Sequence, residues 1–385
     1  MLGSPPDQSN RTFVSRAIYV LMATPRRPTP NPKSIRRRLL DWYDRHRRTL
    51  PWRVGPGETP DPYRVWLSEI MLQQTTVATV GPYFERFVAR WPTIESLAGA
   101  KLDQVLHGWQ GLGYYARARN LHKCARLVVD RCGARFPESE QALLALPGIG
   151  AYTAAAIAAI GFGRKATPMD GNVERVTARL YAFARPLPEA KARLKALAAG
   201  LTPTRRPGDF AQAMMDLGAT LCGSGEPECA RCPLRPECRA GQAGTAARYP
   251  VKAAKKPRPV RHGMVFWAVR GDGGVLIRRR PEKGLLGGMM EIPSTAWRAR
   301  AWTAGEAARM APMAGDWRPM AGEVRHTFTH FELRLQVLGA RVAGPAPTGG
   351  IWCKPRRFSD HALPTVMKKI VGHAARQTVG QLNDS

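Results

Sequence analysis

Four of the seven cysteines crowd into one short stretch, Cys222, Cys229, Cys232 and Cys238, with six, two and five residues between them. Four thiols in one loop can wrap a single metal centre wherever the surroundings keep them reduced. There is one Cys-x-x-Cys pair with a single cysteine on either side, whereas zinc ribbons usually pair two such knuckles. On the residues alone an iron–sulfur centre, a structural zinc and a redox Cys-x-x-Cys all stay open. Two acidic residues are the other chemical candidates. Glu69 sits among Leu67, Ile70 and Leu72, and an apolar site would raise its pKa and keep a proton on it near neutrality. Asp170, in Met169-Asp-Gly-Asn-Val173, precedes a helix-like segment. A helix start favours an ionised carboxylate, and a plain N-cap fits as well. Leu146-Pro-Gly-Ile-Gly150 is a tight turn between two helical stretches. Its Gly148 and Gly150 let backbone amides point outward as a nest for an anion, or simply connect two helices.

These groups need a scaffold to bring them together. From Ser34 to about Gly241 the apolar residues fall at helical spacing, as in Leu39, Leu40 and Tyr43, then Trp66, Ile70 and Met71, then Leu194, Leu197 and Leu201. Frequent Pro and Gly break this region into many short helices. After residue 262 the pattern becomes strand-like: Met264–Val269, Gly274–Ile277 and Phe331–Leu338, the last alternating apolar and polar. The expected organisation is a disordered tail over residues 1–33, a helical domain over 34–241, a basic linker over 242–262, a mixed α/β domain over 263–372 and a C-terminal tail over 373–385. The linker assignment rests on Lys252, Lys255, Lys256, Pro257, Arg258, Pro259 and Arg261. Cys124, Cys132 and Cys353 read as inert small hydrophobes.

The 385 residues hold 59 Lys plus Arg against 29 Asp plus Glu, a net charge of +30. That excess predicts a polyanionic partner, although an Arg-rich codon bias feeds it too. No run approaches the ~18 apolar residues of a membrane span, so no membrane role is expected, and seven cysteines are too few for a disulfide scaffold. Arg11, Arg16 and Ala17–Ala23 imitate a signal peptide only weakly, so a cytoplasmic, nucleoid-associated, bacterial-type monomer is the expectation.

The hairpin, the aspartate that follows it and the four-cysteine loop, in this order and spacing, resemble the helix-hairpin-helix DNA glycosylases of the endonuclease III type over roughly residues 36–240. The resemblance implies a [4Fe-4S] cluster on the four cysteines and a cleft between a helical barrel and the cluster-bearing half. Bifunctional members carry a Lys two positions after the last hairpin glycine, where it attacks the sugar as a Schiff-base nucleophile. This chain has Tyr152 there, which points to a monofunctional glycosylase. Trp66-Leu-Ser-Glu-Ile-Met-Leu-Gln-Gln-Thr75, Leu50-Pro-Trp-Arg53, Gly111-Leu-Gly-Tyr-Tyr-Ala-Arg117 and Phe210-Ala-Gln-Ala-Met-Met-Asp-Leu-Gly218 look like the MutY branch, the A/G-specific adenine glycosylases.

Breaking an N-glycosidic bond requires a proton for the leaving base and a negative charge beside the oxocarbenium-like sugar, the division of labour of glycoside hydrolysis. Glu69 is then the acid toward adenine N7 and Asp170 the stabiliser or transient nucleophile at the sugar, with Tyr152 and Asn172 orienting both. The target base must leave the duplex. By resemblance, Trp52, Arg53 and Gln212 line its pocket, while Gln74, Leu112 and Tyr114 enter the stack around the estranged partner; ordinary core packing is the alternative for Trp52, Leu112 and Tyr114. Gly284-Leu-Leu-Gly-Gly-Met-Met-Glu-Ile-Pro293 resembles the start of a Nudix fold, without the acidic stretch that binds metal in Nudix hydrolases. Arg325-His-Thr-Phe-Thr-His330 resembles a Phe-Ser-His loop, so Phe328, Thr329 and His330 are expected to read 8-oxoguanine opposite the adenine, the implied substrate being adenine mispaired with 8-oxoguanine or guanine in duplex DNA.

Overall fold

The structure, a computed structural model, describes residues 29–253, 257–281, 284–361 and 363–380. Twelve helices come first among the described residues: α1 Pro32–His46, α2 Pro62–Leu72, α3 Val77–Arg90, α4 Ile94–Ala98, α5 Leu102–Gly108, α6 Ala116–Cys132, α7 Glu140–Leu144, α8 Ala151–Ala156, α9 Gly171–Tyr181, α10 Lys191–Leu201, α11 Pro207–Ala219 and α12 Arg239–Gln242. Their starts are written locally. Asn31 accepts from Lys33 N and Asp61 from Tyr63 N, each followed by a Pro whose missing N–H would have been orphaned there anyway. The first helix thus begins inside the expected 1–33 tail; the rest of that stretch, residues 1–28, lies outside the described residues.

The helices form two cores. Helices α2 to α8 bury Trp66, Met71, Phe84, Phe87, Trp109, Leu121 and Leu143 in one. The second joins α1 to α9, α10 and α11 through Ile35, Leu39, Val173, Leu180, Leu201 and Phe210, with Cys222, Cys232 and Cys238 packed on its flank. Helix α1 therefore crosses back to complete the half that carries the cysteine loop, and the cleft between the cores is left open.

The C-terminal domain is a mixed sheet of strands β1 Val260–Arg270, β2 Val275–Arg279, β3 Met290–Glu291, β4 Arg318–Pro319, β5 Val324–Thr327, β6 Glu332–Val342 and β7 Gly350–Cys353, with α13 Ala304–Ala308 and α14 Thr365–Gly380. Central β1 and β6 run parallel from Val260 against Glu332 to Arg270 against Val342; the remaining pairs are antiparallel. The expected linker is shorter than residues 242–262. Val251 hydrogen-bonds Leu187 and β1 begins at Val260, whereas Lys255 and Lys256 lie outside the described residues. The expected tail from 373 is helical as far as Gly380: Val366, Met367, Ile370 and Ala374 recur on one face of α14 and are buried under the sheet.

The two domains share side chains. Leu286 packs against the helical core and the sheet core alike, and Met289 is buried in the helical one. Leu286 adopts a left-handed backbone, φ 58°, a conformation that costs a non-glycine residue energy and is kept only where packing enforces it.

Candidate active site

The open cleft between the helical cores has a volume of about 720 Å³. Its walls bring together eight of the residues singled out from sequence: Trp52, Arg53, Glu69, Gln74, Tyr152, Asp170, Asn172 and Gln212. Glu69 comes from the last turns of α2, a helix buried on most sides, and is 6% exposed. Burial raises its pKa to about 7; the charge of Asp170 pushes the same way, while the neighbouring Tyr152 hydroxyl and Arg53 pull against it. Tyr152 is held far above the usual phenol range, by burial first and by Glu69 and Asp170 next, so its O–H stays a donor. Among the described residues lining the cleft there is no lysine.

Asp170 is the N-cap of α9, as its position before a helical segment suggested. One oxygen accepts from Val173 N and the other from Asn172 Nδ2, both at 2.7 Å. Asn172 is fixed in turn, its Oδ1 accepting from Arg175 at 2.8 Å. Gly218 on α11 lets that helix close in: a Cβ there would stand 2.6 Å from Asn172 Cβ. Arg175 and Arg179, further along α9, donate to the Cys222 carbonyl at 2.7 and 3.1 Å, and Arg179 also to Cys222 Sγ at 3.2 Å. One helix thus carries the aspartate at its start and grips the cysteine loop along its length.

Those cysteines, Cys222, Cys229, Cys232 and Cys238, line one small cavity with Arg179 and Arg235. Gly241 N donates to Cys238 Sγ at 3.3 Å, and with the Arg179 contact this gives two sulfurs the donors a thiolate takes. Burial holds the thiols of Cys232 and Cys238 at about 12 and 11, values that metal ligation overrides by deprotonating the sulfur outright. Among the described residues, no group of three or more His, Cys, Asp or Glu is drawn together as tightly as a single ion requires.

Arg53 lines the cleft but is not free. It clasps Asp216 with two bonds of 2.6 and 2.8 Å, and Arg48 adds another at 2.6 Å. Asp216 is fully buried, and Gln212, one turn earlier on α11, faces the cleft. Leu50, which opens the Leu50-Pro-Trp-Arg53 motif, lines it too, as does Arg48, which was not picked out from sequence; its place just before that motif is the signal that was available.

A second cavity, about 670 Å³, lies on the seam between the domains. Gln74 and Tyr114 face it from the helical side, Leu285, Phe328, Thr329 and His330 from the sheet side. Gln74 and Tyr114 both have a left-handed backbone, φ 59° and 46°, and are exposed. The Tyr114 hydroxyl meets Thr329 Oγ1 at 3.5 Å. Leu112 differs from its expected place in the base stack: it is 5% exposed and packs in the helical core, because the turn through Gly111 and Gly113, both at positive φ, aims it inward while Tyr114 points out. Arg117, quoted above only as the end of the Gly111–Arg117 motif, ties the end of α2 to that turn by donating to the carbonyls of Ile70, Met71 and Leu112 at 2.9 Å.

The hairpin lies between α7 and α8. Leu146 and Ile149 are buried while Gly148 and Gly150 are exposed, so its amide face is open. Gly148 has φ 79°, and a Cβ on it would come within 2.8 Å of Asn120. In the sheet domain Glu291 is buried and ion-paired with Arg278 and Arg280, and Glu306 caps α13 and pairs with Arg298 and Arg300. Neither is free to bind a metal.

Residues 67–200 match the HhH-GPD superfamily of base excision DNA repair proteins, and residues 264–373 match the NUDIX domain family. The human protein named adenine DNA glycosylase is 36% identical over 88% of this chain and 73% of its own length; the rat protein of that name is 36% identical over 88% and 77%, and that of Mycolicibacterium smegmatis 41% over 58% and 76%. Among solved structures, a thermostable thymine-DNA glycosylase is 29% identical and covers 55% of this chain and 97% of its own, with a TM-score of 0.49. With two domain families in this order and relatives matched over most of both chains, the chain belongs to the adenine DNA glycosylase family of base excision DNA repair enzymes.

Proposed function

We propose that the enzyme releases adenine standing opposite 8-oxoguanine or guanine in duplex DNA, leaves an abasic site, and acts as a monofunctional glycosylase, as a cytoplasmic monomer. The observation that carries this is the pairing of a carboxyl poised near pH 7, Glu69, with a hydrogen-bonded carboxylate, Asp170, in one cleft whose described walls have no lysine.

Glu69 donates its proton to adenine N7, which draws the bonding pair of the C1′–N9 bond onto the base. Asp170 faces the positive charge left on the sugar, stabilising it or bonding to it transiently before water arrives. Asn172, locked by Arg175, fixes the Asp170 oxygen that it meets. Tyr152 stands where a Schiff-base amine would have to be, and its un-ionised hydroxyl orients Glu69. Trp52 supplies an aromatic wall for the flipped base and Gln212 an amide that suits an adenine edge. Arg53 supports the pocket through Asp216. The Gly148–Gly150 amides take a phosphate, and the +30 charge holds the duplex at large.

Gln74 and Tyr114 enter the space around the partner base, and the turn of Phe328, Thr329 and His330 tests its identity across the seam. The four cysteines fit a [4Fe-4S] cluster: the donor set is right, and their surroundings supply hydrogen bonds to sulfur. Such a cluster would brace the loop that α9 grips.

One duplex set tests the whole reading, with adenine opposite 8-oxoguanine, guanine, cytosine and thymine in turn. Excision should be fastest opposite 8-oxoguanine, then guanine, with no borohydride-trapped adduct. Rates independent of the partner would overturn the role of the C-terminal domain, and an adduct that of the monofunctional mechanism.

A further inference from the structure

The turn that faces the seam is held from behind by rings. Phe328 N donates to Phe331 O at 2.9 Å and closes it, while Thr329 and His330 at the tip are exposed. Half-buried Phe328 touches three aromatic rings. Phe331 lies at 4.9 Å between centroids, His326 stands edge-on at 4.6 Å and 73°, and Trp297 is tilted over it at 5.8 Å and 30°.

Trp297 is itself seated. The Arg280 guanidinium lies 5.2 Å from its ring centroid and is anchored by the buried Glu291. Strand β1 makes room for the ring with Gly263, where a Cβ would stand 2.7 Å from Trp297 Cδ1 and 2.9 Å from Leu335 Cδ2. Among the described residues neither Trp297 Nε1 nor His326 Nδ1, both buried, has a hydrogen-bond partner. An unpaired buried ring nitrogen is costly, so these rings are placed for their faces and edges. Burial first, and the Lys369 ammonium second, keep His326 below the usual histidine pKa, so the ring meets Phe328 uncharged.

We propose that His326, at the wall of the seam, and Trp297, which does not line it, are positioning residues for partner-base recognition: they clamp the Phe328 ring and so fix how far Thr329 and His330 enter the seam. The inference rests on the reading that this turn meets the partner base. A tip held by one backbone bond would spread over several conformers, and only the fraction in the competent one binds. Removing one ring contact should lower that fraction about tenfold.

The test uses the full chain, with kcat and KM measured on duplexes carrying adenine opposite 8-oxoguanine or opposite guanine. His326→Ala and Trp297→Ala should each lower the ratio of the two kcat/KM values about tenfold, the loss falling on the 8-oxoguanine duplex through KM. Kinetics on the guanine duplex should hold, and His326→Phe, which keeps an edge-on ring, should restore the ratio. Equal losses on both duplexes, or no rescue by His326→Phe, would mean that the rings merely keep the domain folded and would overturn the proposal. Phe328→Ala separates the two levels. If it lowers the ratio and the other variants do not, the positioning role alone is wrong; if it leaves the ratio unchanged, the reading of the turn is wrong as well.

Discussion

The two cavities are nearly equal in size, about 720 and 670 Å³, and are built on opposite principles. The first belongs to one domain and is stiffened by charge: Asp216 gripped by two arginines, Asp170 by a backbone N–H and an amide, Asn172 by Arg175. The second belongs to neither domain alone. It is walled largely by rings and aliphatic side chains, and one hydroxyl pair at 3.5 Å spans it. Bond breaking needs donors and charges fixed before the reaction starts. On the proposed function, discrimination between two similar partner bases needs only a modest energy difference, which a shaped, partly apolar seam can supply.

That contrast can be broken at several points. The largest effect is expected from Glu69→Gln and Asp170→Asn, each lowering single-turnover excision by about 10²–10⁴-fold while duplex binding in a filter or gel assay survives. A smaller loss would mean that the cleft works chiefly by orienting the base. Next is Asp216→Ala, which leaves Arg48 and Arg53 unpaired over a buried site and should cost about 3–5 kcal/mol of stability, read as a fall in denaturant midpoint. Then comes pH. An acid with a pKa of about 7 is competent below that value, so kcat/KM should stay level under pH 7 and fall about tenfold per unit above it; a rate that rises with pH would reverse the assignment of the two carboxyls. Tyr114→Ala is the mildest of the four. It should shift the preference for 8-oxoguanine over guanine about tenfold and leave the cleft chemistry alone, and a loss of excision on every duplex would dissolve the distinction between the cavities.

What was legible in the sequence follows the same divide. Glu69, Asp170, the hairpin and the cysteines are marked by their immediate neighbours: apolar flanks, a cap before a helix, paired glycines, a fixed spacing. The grip of Arg53 on Asp216 spans 163 residues and that of Arg175 on the cysteine loop 47, and no local pattern announces either. Leu112 and Tyr114 lie two apart in one glycine-rich turn, so composition treats them alike; only the backbone angles of Gly111 and Gly113 send one inward and the other out. The helix through Gly380 was present as the apolar face of Val366, Ile370 and Ala374, a face that runs past the domain end expected at residue 372.

Leu286 belongs to both hydrophobic cores, and this has a consequence for heat. Domains joined only by a tether melt independently, each at its own temperature. Here the loss of either core strips packing from a residue of the other, which couples the two transitions. A chimera cut at the basic stretch between the domains would therefore inherit a catalytic domain with a gap where Leu286 and Met289 had been. The natural cassette for exchange is the sheet domain together with the receiving surface on the helices.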